Sequence, residues 1–175
     1  PDVLVDARML KVEIQTSQRS AQLIIGLGPG FAAGINCHAV IETRRGPNLG
    51  RVHWVGRAEA DTGIPDVVGQ FQSERVLRAP ISGIIHPLVD IAAELTAGDP
   101  IARVDEQMIT APFTGVLRGI LHAGIAVTAG MKVGDLDPRN DPSLCFRVSD
   151  KALAVAGGAL EAILSTTELR KKMWN

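Results

Sequence analysis

The chain has 175 residues, 46% of them hydrophobic, and its 18 basic and 19 acidic side chains give a formal net charge of −1. This composition is typical of a globular protein with a buried core, and it does not favour binding to nucleic acid or to an acidic membrane. No apolar run reaches the roughly 18 to 20 residues of a membrane helix, and four Phe, two Trp and no Tyr offer few surfaces for base stacking.

Two apolar segments near the start, VLVDARMLK and AQLIIGL, predict buried strands, and the second runs into the glycines of LIIGLGPGFAAG. A dinucleotide-binding loop needs GxGxxG or GxGxxA opening a helix within a βαβ unit. Here the strand-like segment HAVIET follows too soon for a crossover helix. The pattern favours a turn with positive φ at Gly26, Gly28 and Gly30, and it leaves open an anion site lined by Gly28 and Gly30.

The segment from His38 to Arg45 carries the first candidate functional side chains. If it is a strand, His38, Glu42 and Arg44 share one face. His38 and Glu42 would then be candidates for an acid/base pair, and Arg44 or Arg45 for anion binding. The alternative is an exposed strand face with weak cross-strand ion pairs.

The middle of the chain contains an internal repeat. APISG at residues 79–83 returns as APFTG at residues 111–115, and TAGDPI returns as TAGMKV, both with an offset of 32 residues. Open solenoids need about three copies, so two copies favour a closed unit with two-fold symmetry. Frequent Gly and Pro between short apolar runs predict short strands and a small β domain.

This repeat resembles the biotinyl/lipoyl carrier fold, a barrel-sandwich hybrid of two quasi-symmetric β halves that displays its modified lysine on the hairpin between them. Here that hairpin reads VDEQMIT, from Val104 to Thr110, and no Lys occurs between Lys11 and Lys132. The resemblance predicts the fold, while the missing lysine excludes biotin and lipoate as covalent cofactors.

The C-terminal third adds two further candidate groups. GDLDPR contains Asp135, Asp137 and Arg139. Two aspartates at this spacing either ligate a hard cation or shape a turn. SDKALAVAGGALEAIL predicts a helix capped by Ser149 or Asp150, with Lys151 in its first turn as a candidate catalytic or anion-binding group. The adjacent glycines at 157 and 158 favour close packing of this helix on a neighbouring strand, and the polar end STTELRKKMWN predicts a solvated tail.

The cysteines and histidines show no metal-ligand spacing, so the sequence predicts no metal site. Cys37, next to His38, and Cys145 are candidates for sulfur chemistry, although a buried, inert thiol is the commoner state. Two cysteines without a CxxC pair favour a reducing compartment, and we predict a cytoplasmic protein.

The segments PDVLVDA, LIIGLGPGFAAG, HAVIETRRG, LGRV, SERVLRAPISG, VGDLDPR and GGALEAIL, in this order, closely resemble the YqeB-type accessory proteins of selenium-dependent molybdenum hydroxylases. Members are typically longer, with a glycine-rich, nucleotide-binding-like segment ahead of the matched part, so the resemblance predicts that this chain corresponds to the C-terminal two thirds of a member. Arg45-Gly46-Pro47 stands where Arg-Gly-His is usual.

The sequence as a whole predicts a mainly β protein in three parts. Residues 1–76 form a strand-rich, α/β-like region with the glycine loop, residues 77–139 the duplicated barrel-sandwich hybrid, and residues 140–175 a helix that packs on the N-terminal region, followed by a polar tail. The resemblance implies an accessory factor in the maturation of these hydroxylases. The first hypothesis is a module that binds the molybdenum cofactor or the apo-enzyme, and it predicts an anion site formed by Gly28, Gly30, Arg44, Arg45 and Arg139.

The alternative function is an enzyme acting on a nucleotide or on the molybdopterin group. It predicts that His38, Glu42, Asp137 and Lys151 converge in one pocket. The sequence identifies neither the reaction nor a dissociable cofactor, and it leaves homo-oligomerisation open.

Overall fold

The computed structural model describes residues 1–13, 19–63, 71 and 73–174. The chain divides into two compact units: unit 1 contains Pro1–Gly63 and Val148–Asn175, and unit 2 contains Ile64–Arg147. Both units contain β-sheets, and the long C-terminal helix belongs to unit 1, so the predicted mainly β chain with a C-terminal helix is confirmed. The predicted domain boundaries, after residues 76 and 139, both fall inside unit 2.

Unit 1 is built on a four-stranded sheet. Its strands are β1 (Val3–Asp6), β2 (Leu23–Leu27), β4 (Ala39–Ile41) and β5 (Val52–His53), in the spatial order β1-β2-β4-β5. The first three are parallel, with Val3 beside Leu23 and Ile25 beside Ala39, and β5 is antiparallel to β4. A short antiparallel ribbon pairs β3 (Ala32–Ala33) with β6 (Gly56–Arg57), and helices α1 (Asp150–Ser165) and α2 (Thr167–Trp174) complete the unit.

Both faces of this sheet are covered, as parallel sheets require. Helix α1 contacts β2, β4 and β5. Successive strand residues point to opposite faces, so Ile25 packs with Ala162 of α1 on one face and Ile24 packs with Phe31 on the other. The continuous apolar run of β2 therefore reflects burial on both sides.

The glycine loop is a turn and does not begin a helix. Gly28 and Gly30 have φ of 77° and 102°, as predicted, and residues 28–38 contain no helix. A dinucleotide-binding βαβ loop is therefore excluded here. The predicted positive φ at Gly26 is wrong, because Gly26 lies within β2, where the Phe31 ring fills the space that a side chain at this position would occupy.

Unit 2 consists of two four-stranded sheets. The first contains β7 (Val76–Arg78), β14 (Lys132–Asp137), β12 (Gly115–Ile120) and β9 (Glu94–Leu95), in that order. The second contains β11 (Gln107–Thr110), β10 (Pro100–Val104), β8 (Gly83–Pro87) and β13 (Ala126–Val127). A 3₁₀ helix, Pro142–Phe146, follows β14. Strands β10 and β11 form the predicted hairpin, and Asp105 adopts a φ of 46° in its turn.

Backbone hydrogen bonds in unit 2 repeat at the 32-residue interval of the sequence. The N–H of Gly98 donates to the carbonyl of Ala111 (2.8 Å), and the N–H of Gly130 donates to the carbonyl of Ala79 (2.8 Å). Because Ala111 follows Ala79 by 32 residues and Gly130 follows Gly98 by 32, each copy of the repeat donates to the other.

A second pair of backbone hydrogen bonds in unit 2 has the same form. Ala92 donates to Leu117 (2.8 Å), and Gly124 donates to Ile85 (2.9 Å). Ile85 and Leu117 are fully buried in the core of unit 2. The two copies thus exchange partners around one shared core.

The C-terminal helices begin as predicted and continue further than predicted. Ser149 caps α1, its Oγ accepting a hydrogen bond from the N–H of Ala152 (3.1 Å). The predicted polar tail is largely solvent-exposed in its described part, but it is not frayed: it forms α2, whose Leu169 is 3% exposed in the core beside α1. No single helix in the described part of the chain is long and apolar enough to cross a membrane. The two helical segments that end at Ser165 and at Trp174 reach the required length and composition only when they are taken together, and the chain bends between them.

We predict opposite effects of alanine at the two adjacent glycines of α1. A methyl group at Gly158 would overlap the carbonyl oxygen of Gly50 and approach Ile41, whereas one at Gly157 meets no atom within 4 Å. Gly158→Ala is therefore expected to destabilise unit 1 by about 1 to 3 kcal/mol through overpacking. Gly157→Ala should stabilise it by up to about 1 kcal/mol through helix propensity.

Urea denaturation followed by tryptophan fluorescence measures this difference, since Trp54 and Trp174 both lie in unit 1 and are the chain's two tryptophans. Equal effects of the two substitutions would show that α1 does not approach the β4–β5 turn this closely.

Candidate functional site

Glu42 lies directly after β4, and it is 1% exposed. Its Oε1 accepts hydrogen bonds from the N–H groups of Thr43 (2.8 Å) and Arg44 (2.7 Å), and its Oε2 accepts one from the N–H of Glu59 (2.8 Å). Burial of a carboxylate is tolerated when its oxygens are hydrogen-bonded in this way. Glu42 therefore joins two loops, and three backbone donors already occupy its oxygens.

His38 precedes β4, at the opposite end of the strand from Glu42. Its N–H donates to the carbonyl of Ile24, and its Nδ1 accepts from the N–H of Ile24, both at 2.9 Å. At about 3.3 Å per residue, the strand separates His38 from Glu42 by about 13 Å. The two side chains do not form the proposed acid/base pair, because each one satisfies backbone groups at its own end of the strand.

The histidine beside Glu42 is His53, on the neighbouring strand β5. Its Nε2 is 3.9 Å from Glu42 Oε2, and this buried nitrogen has no hydrogen-bond partner among the described residues. The contact arises because β5 places His53 opposite Val40. Nothing in the spacing of His53 within the sequence indicates it.

The two arginines proposed for anion binding at the glycine loop both form ion pairs. Arg44 Nη1 contacts Glu59 Oε2 at 2.7 Å. Arg45 binds Asp150 with both terminal nitrogens, at 2.8 Å for Nη2 to Oδ1, which lowers the pKa of the Asp150 carboxyl. These pairs are solvent-exposed, so each one contributes little to stability. The Arg45–Asp150 pair links the loop after β4 to the first turn of α1.

Asp137 and Arg139 belong to a charged cluster in unit 2. Asp137 is 5% exposed at the end of β14, where it accepts hydrogen bonds from Arg139 Nε (2.9 Å) and Arg118 Nη1 (3.0 Å). The hydrogen bonds from Arg139, and further those from Arg118, lower the pKa of Asp137 to about 2. Arg75 and Asp135 pair nearby at 2.7 Å. Each described carboxylate in this cluster faces a guanidinium group, an arrangement that favours a structural role.

Lys151 lies in the first turn of α1 and forms no ion pair with any residue that the structure describes. It lines a groove of about 630 Å³ in unit 1, together with Thr43 and Ser149 as the other polar side chains. The remaining lining residues are apolar and come from both sides of the groove, from β1 to β2 and from α1. Sequence reasoning missed this groove, because its two sides are more than a hundred residues apart.

The two cysteines show no sign of thiol chemistry. Cys37 is fully buried, and this burial raises the pKa of its thiol to about 11, so the reactive thiolate is absent near neutral pH. Cys145 Sγ donates a weak hydrogen bond to the carbonyl of Leu117 (3.7 Å). Within the described part of the chain, no group of three His, Cys, Asp or Glu side chains is arranged to hold a metal ion.

The four candidate catalytic residues occupy separate environments. His38, Glu42 and Lys151 lie in unit 1, and Asp137 lies in unit 2. His38 and Glu42 bind backbone N–H groups, Asp137 binds two arginines, and Lys151 lines the groove in unit 1. Within unit 1 the cavity brings together one cation, two hydroxyl groups and a large apolar surface, which suits binding better than acid/base chemistry.

Comparison with known proteins gives one close relative. The chain is 45% identical over 164 residues to the uncharacterized protein YqeB of Escherichia coli (strain K12), a match that covers 94% of this chain and 30% of that protein. The identity supports a relationship to the YqeB family. The chain spans about a third of that relative's length, less than the two thirds that the resemblance predicted.

The other comparisons carry no functional information. No protein-family model matches the chain. An aspartoacylase family protein of Mesorhizobium loti shares 18% identity, with a TM-score of 0.34, over 47% of this chain and 27% of that protein, which is too weak a likeness to support an argument.

We predict that Asp137 makes the stability of unit 2 depend on acid pH. Its pKa of about 2 lies below the ordinary value of 3.8, so the folded state binds a proton less tightly than the unfolded state. The resulting stabilisation, about 2 kcal/mol, is fully present above about pH 4 and is lost as the pH falls through 2.

Calorimetric unfolding between pH 6 and pH 2 should show Asp137→Asn less stable than wild type at pH 6 and the difference shrinking toward pH 2. The control is Asp90→Asn, an exposed carboxylate of the same unit, which should change little. A gap between wild type and Asp137→Asn that stays constant with pH would contradict the proposed ionic role.

Proposed function

We propose that this chain is a binding module in the maturation of selenium-dependent molybdenum hydroxylases, as its relationship to the YqeB family implies. The observation that favours binding over catalysis is that His38 and Glu42, the proposed acid/base pair, do not meet. His38, Glu42 and Asp137 are each engaged in structural hydrogen bonds, and Lys151 faces a mainly apolar groove. An acid/base mechanism needs two such groups within reach of one substrate.

The proposal includes a barrel-sandwich hybrid without a carrier function in unit 2. The exchanged hydrogen bonds between the copies at residues 79–103 and 111–135 support a two-fold arrangement, and in this proposal the hairpin of β10 and β11 would correspond to the carrier hairpin. Its turn consists of Asp105 and Glu106, so it offers no amine for acylation. This unit would then act through its surface, as a contact for the apo-enzyme.

The proposed anion site lies in unit 1, beside the glycine loop. Arg45 is 39% exposed and its partner Asp150 is 72% exposed, so the pair is accessible to solvent. An anionic ligand such as molybdate or a cofactor phosphate would replace the Asp150 carboxylate on the Arg45 guanidinium. Because exposed pairs are weak, this exchange costs little free energy.

We expect molybdate, or the phosphate of the molybdenum cofactor, to raise the melting temperature of the chain through Arg45. A ligand at a hundred times its Kd stabilises the folded state by about 2.7 kcal/mol. Arg45→Ala should abolish the thermal shift. The matched control is Asp150→Asn, which breaks the same ion pair but retains the Arg45 guanidinium, and it should strengthen binding.

Titrations with ATP plus Mg²⁺ and with CTP test whether a nucleotide is bound instead. If Arg45→Ala and Asp150→Asn weaken binding equally, the ion pair is structural and the anion site is refuted.

The maturation role is tested in a host that makes a selenium-dependent molybdenum hydroxylase. Deletion of the gene for this protein should leave the hydroxylase polypeptide at normal abundance but lower its molybdenum or selenium content several-fold, as measured by elemental analysis of the purified enzyme. Restoring the gene should restore the content. Full metal and selenium content in the deletion strain would overturn the proposal.

A further inference from the structure

The groove between β1 and α1 is large and apolar for a surface of a small protein unit. Val5 and Met9 line one side and Leu160 lines the other, with exposures of 41%, 39% and 50%. Large apolar side chains grouped in this way on a surface usually mark a binding site. The volume of about 630 Å³ lies within the range of small-molecule sites.

The helical side of the groove is long and lined largely by small side chains. Ala152, Ala156 and Ala159 leave space along α1, and Ile163 lines the groove nearest the C-terminal end of this helix. From Ala152 to Ile163 the helix rises by about 16 Å at 1.5 Å per residue. An apolar groove of this length accommodates an unbranched hydrocarbon chain that lies along α1.

The other end of the groove is polar. Thr43 is 4% exposed and lines the groove, and its hydroxyl has no hydrogen-bond partner among the residues that the structure describes. The Thr43 side chain can occupy this position because residue 28 is a glycine: a side chain at residue 28 would lie 2.5 Å from Thr43 Oγ1. A hydroxyl that lines a groove and has no partner in the described part of the chain is available to a ligand.

The charge at this end is positive. Arg45 and Asp150 neutralise each other, whereas Lys151 in the groove has no anionic partner in the described part of the chain. The N-terminal end of α1 adds its partial positive charge at the same place. A ligand with its head group here would therefore carry a negative charge.

We propose that this groove binds an anionic amphiphile with one unbranched apolar chain. The carboxylate or phosphate head group lies at Thr43 and Lys151, and the chain extends along α1 toward Ile163. This site adds a second class of ligand to the binding role proposed above, and it does not depend on the maturation pathway.

The test is isothermal titration of the full chain with dodecanoate, dodecyl phosphate and dodecyltrimethylammonium, each below its critical micelle concentration. The two anions should bind at least tenfold more tightly than the cation, and the comparison between them identifies the preferred head group. Lys151→Gln should weaken the anions about fivefold to tenfold and leave the cation unchanged. Thr43→Val should also weaken the anions, because it removes the hydroxyl at nearly constant shape.

A matched pair of leucines on α1 locates the chain of the ligand. Leu160 lines the groove, whereas Leu153 is 61% exposed on the same helix and lies outside it. Leu160→Glu should abolish binding, and Leu153→Glu should leave it intact. Both positions are exposed, so circular dichroism should show both variants folded.

Three results would overturn the proposal: equal binding of cation and anions, equal effects of the two leucine substitutions, or no binding. Sedimentation velocity provides a further test. A dimer that Leu160→Glu dissociates would show that a second copy of the chain covers the groove. None of these readouts involves molybdate or the metal content of a hydroxylase, so they distinguish failure of this inference from failure of the proposed function.

Discussion

The close approach of α1 to the turn between β4 and β5 determines how unit 1 is assembled. Gly158 and Gly50 face each other there, and a side chain at Gly50 would in turn meet the backbone of Ala154. Two glycines at a contact permit a helix to pack closer to a sheet than larger residues allow. This contact places the first turn of α1 beside Thr43 and Arg45, so both the proposed anion site and the groove depend on it.

Glu42 stabilises the same region from within. Its carboxylate binds the N–H groups of residues 43, 44 and 59, and so fixes the loops on both sides of the β4–β5 hairpin. A charged group is suited to this role because a carboxylate accepts several hydrogen bonds at once, and hydrogen bonds to a charged group are stronger than those between neutral groups. One member of the acid/base pair proposed from the sequence therefore organises the structure around the candidate site.

Unit 2 obtains its order from exchange between its two copies. Each copy pairs its own strands, β8 with β10 and β12 with β14, and further backbone hydrogen bonds run from donors of each copy to acceptors of the other. The shared core, with Ile85 and Leu117 at equivalent positions, follows from that exchange. The turn of the β10–β11 hairpin consists of Asp105 and Glu106, so it contains no lysine.

The sequence by itself determined the local features of this protein: β1, β2 and α1, the 32-residue repeat, the turn at Gly28 and Gly30, and the absence of a lysine in the hairpin. These follow from periodicity and backbone preference, which act over a few residues. The predictions that differ from the structure also concern single residues. Leu169 is one buried residue in a polar segment, and the need for glycine at residue 26 comes from its contact with Phe31.

Only the tertiary structure decided which groups meet. Arg45 reaches Asp150 across 105 residues, and Asp137 binds Arg118 from another strand. Such pairs depend on strand register and helix packing, which the spacing of residues does not encode. For that reason the sequence could not show that His38 and Glu42 lie apart and bind backbone groups. It also could not show the groove between β1 and α1, which exists only in the tertiary structure.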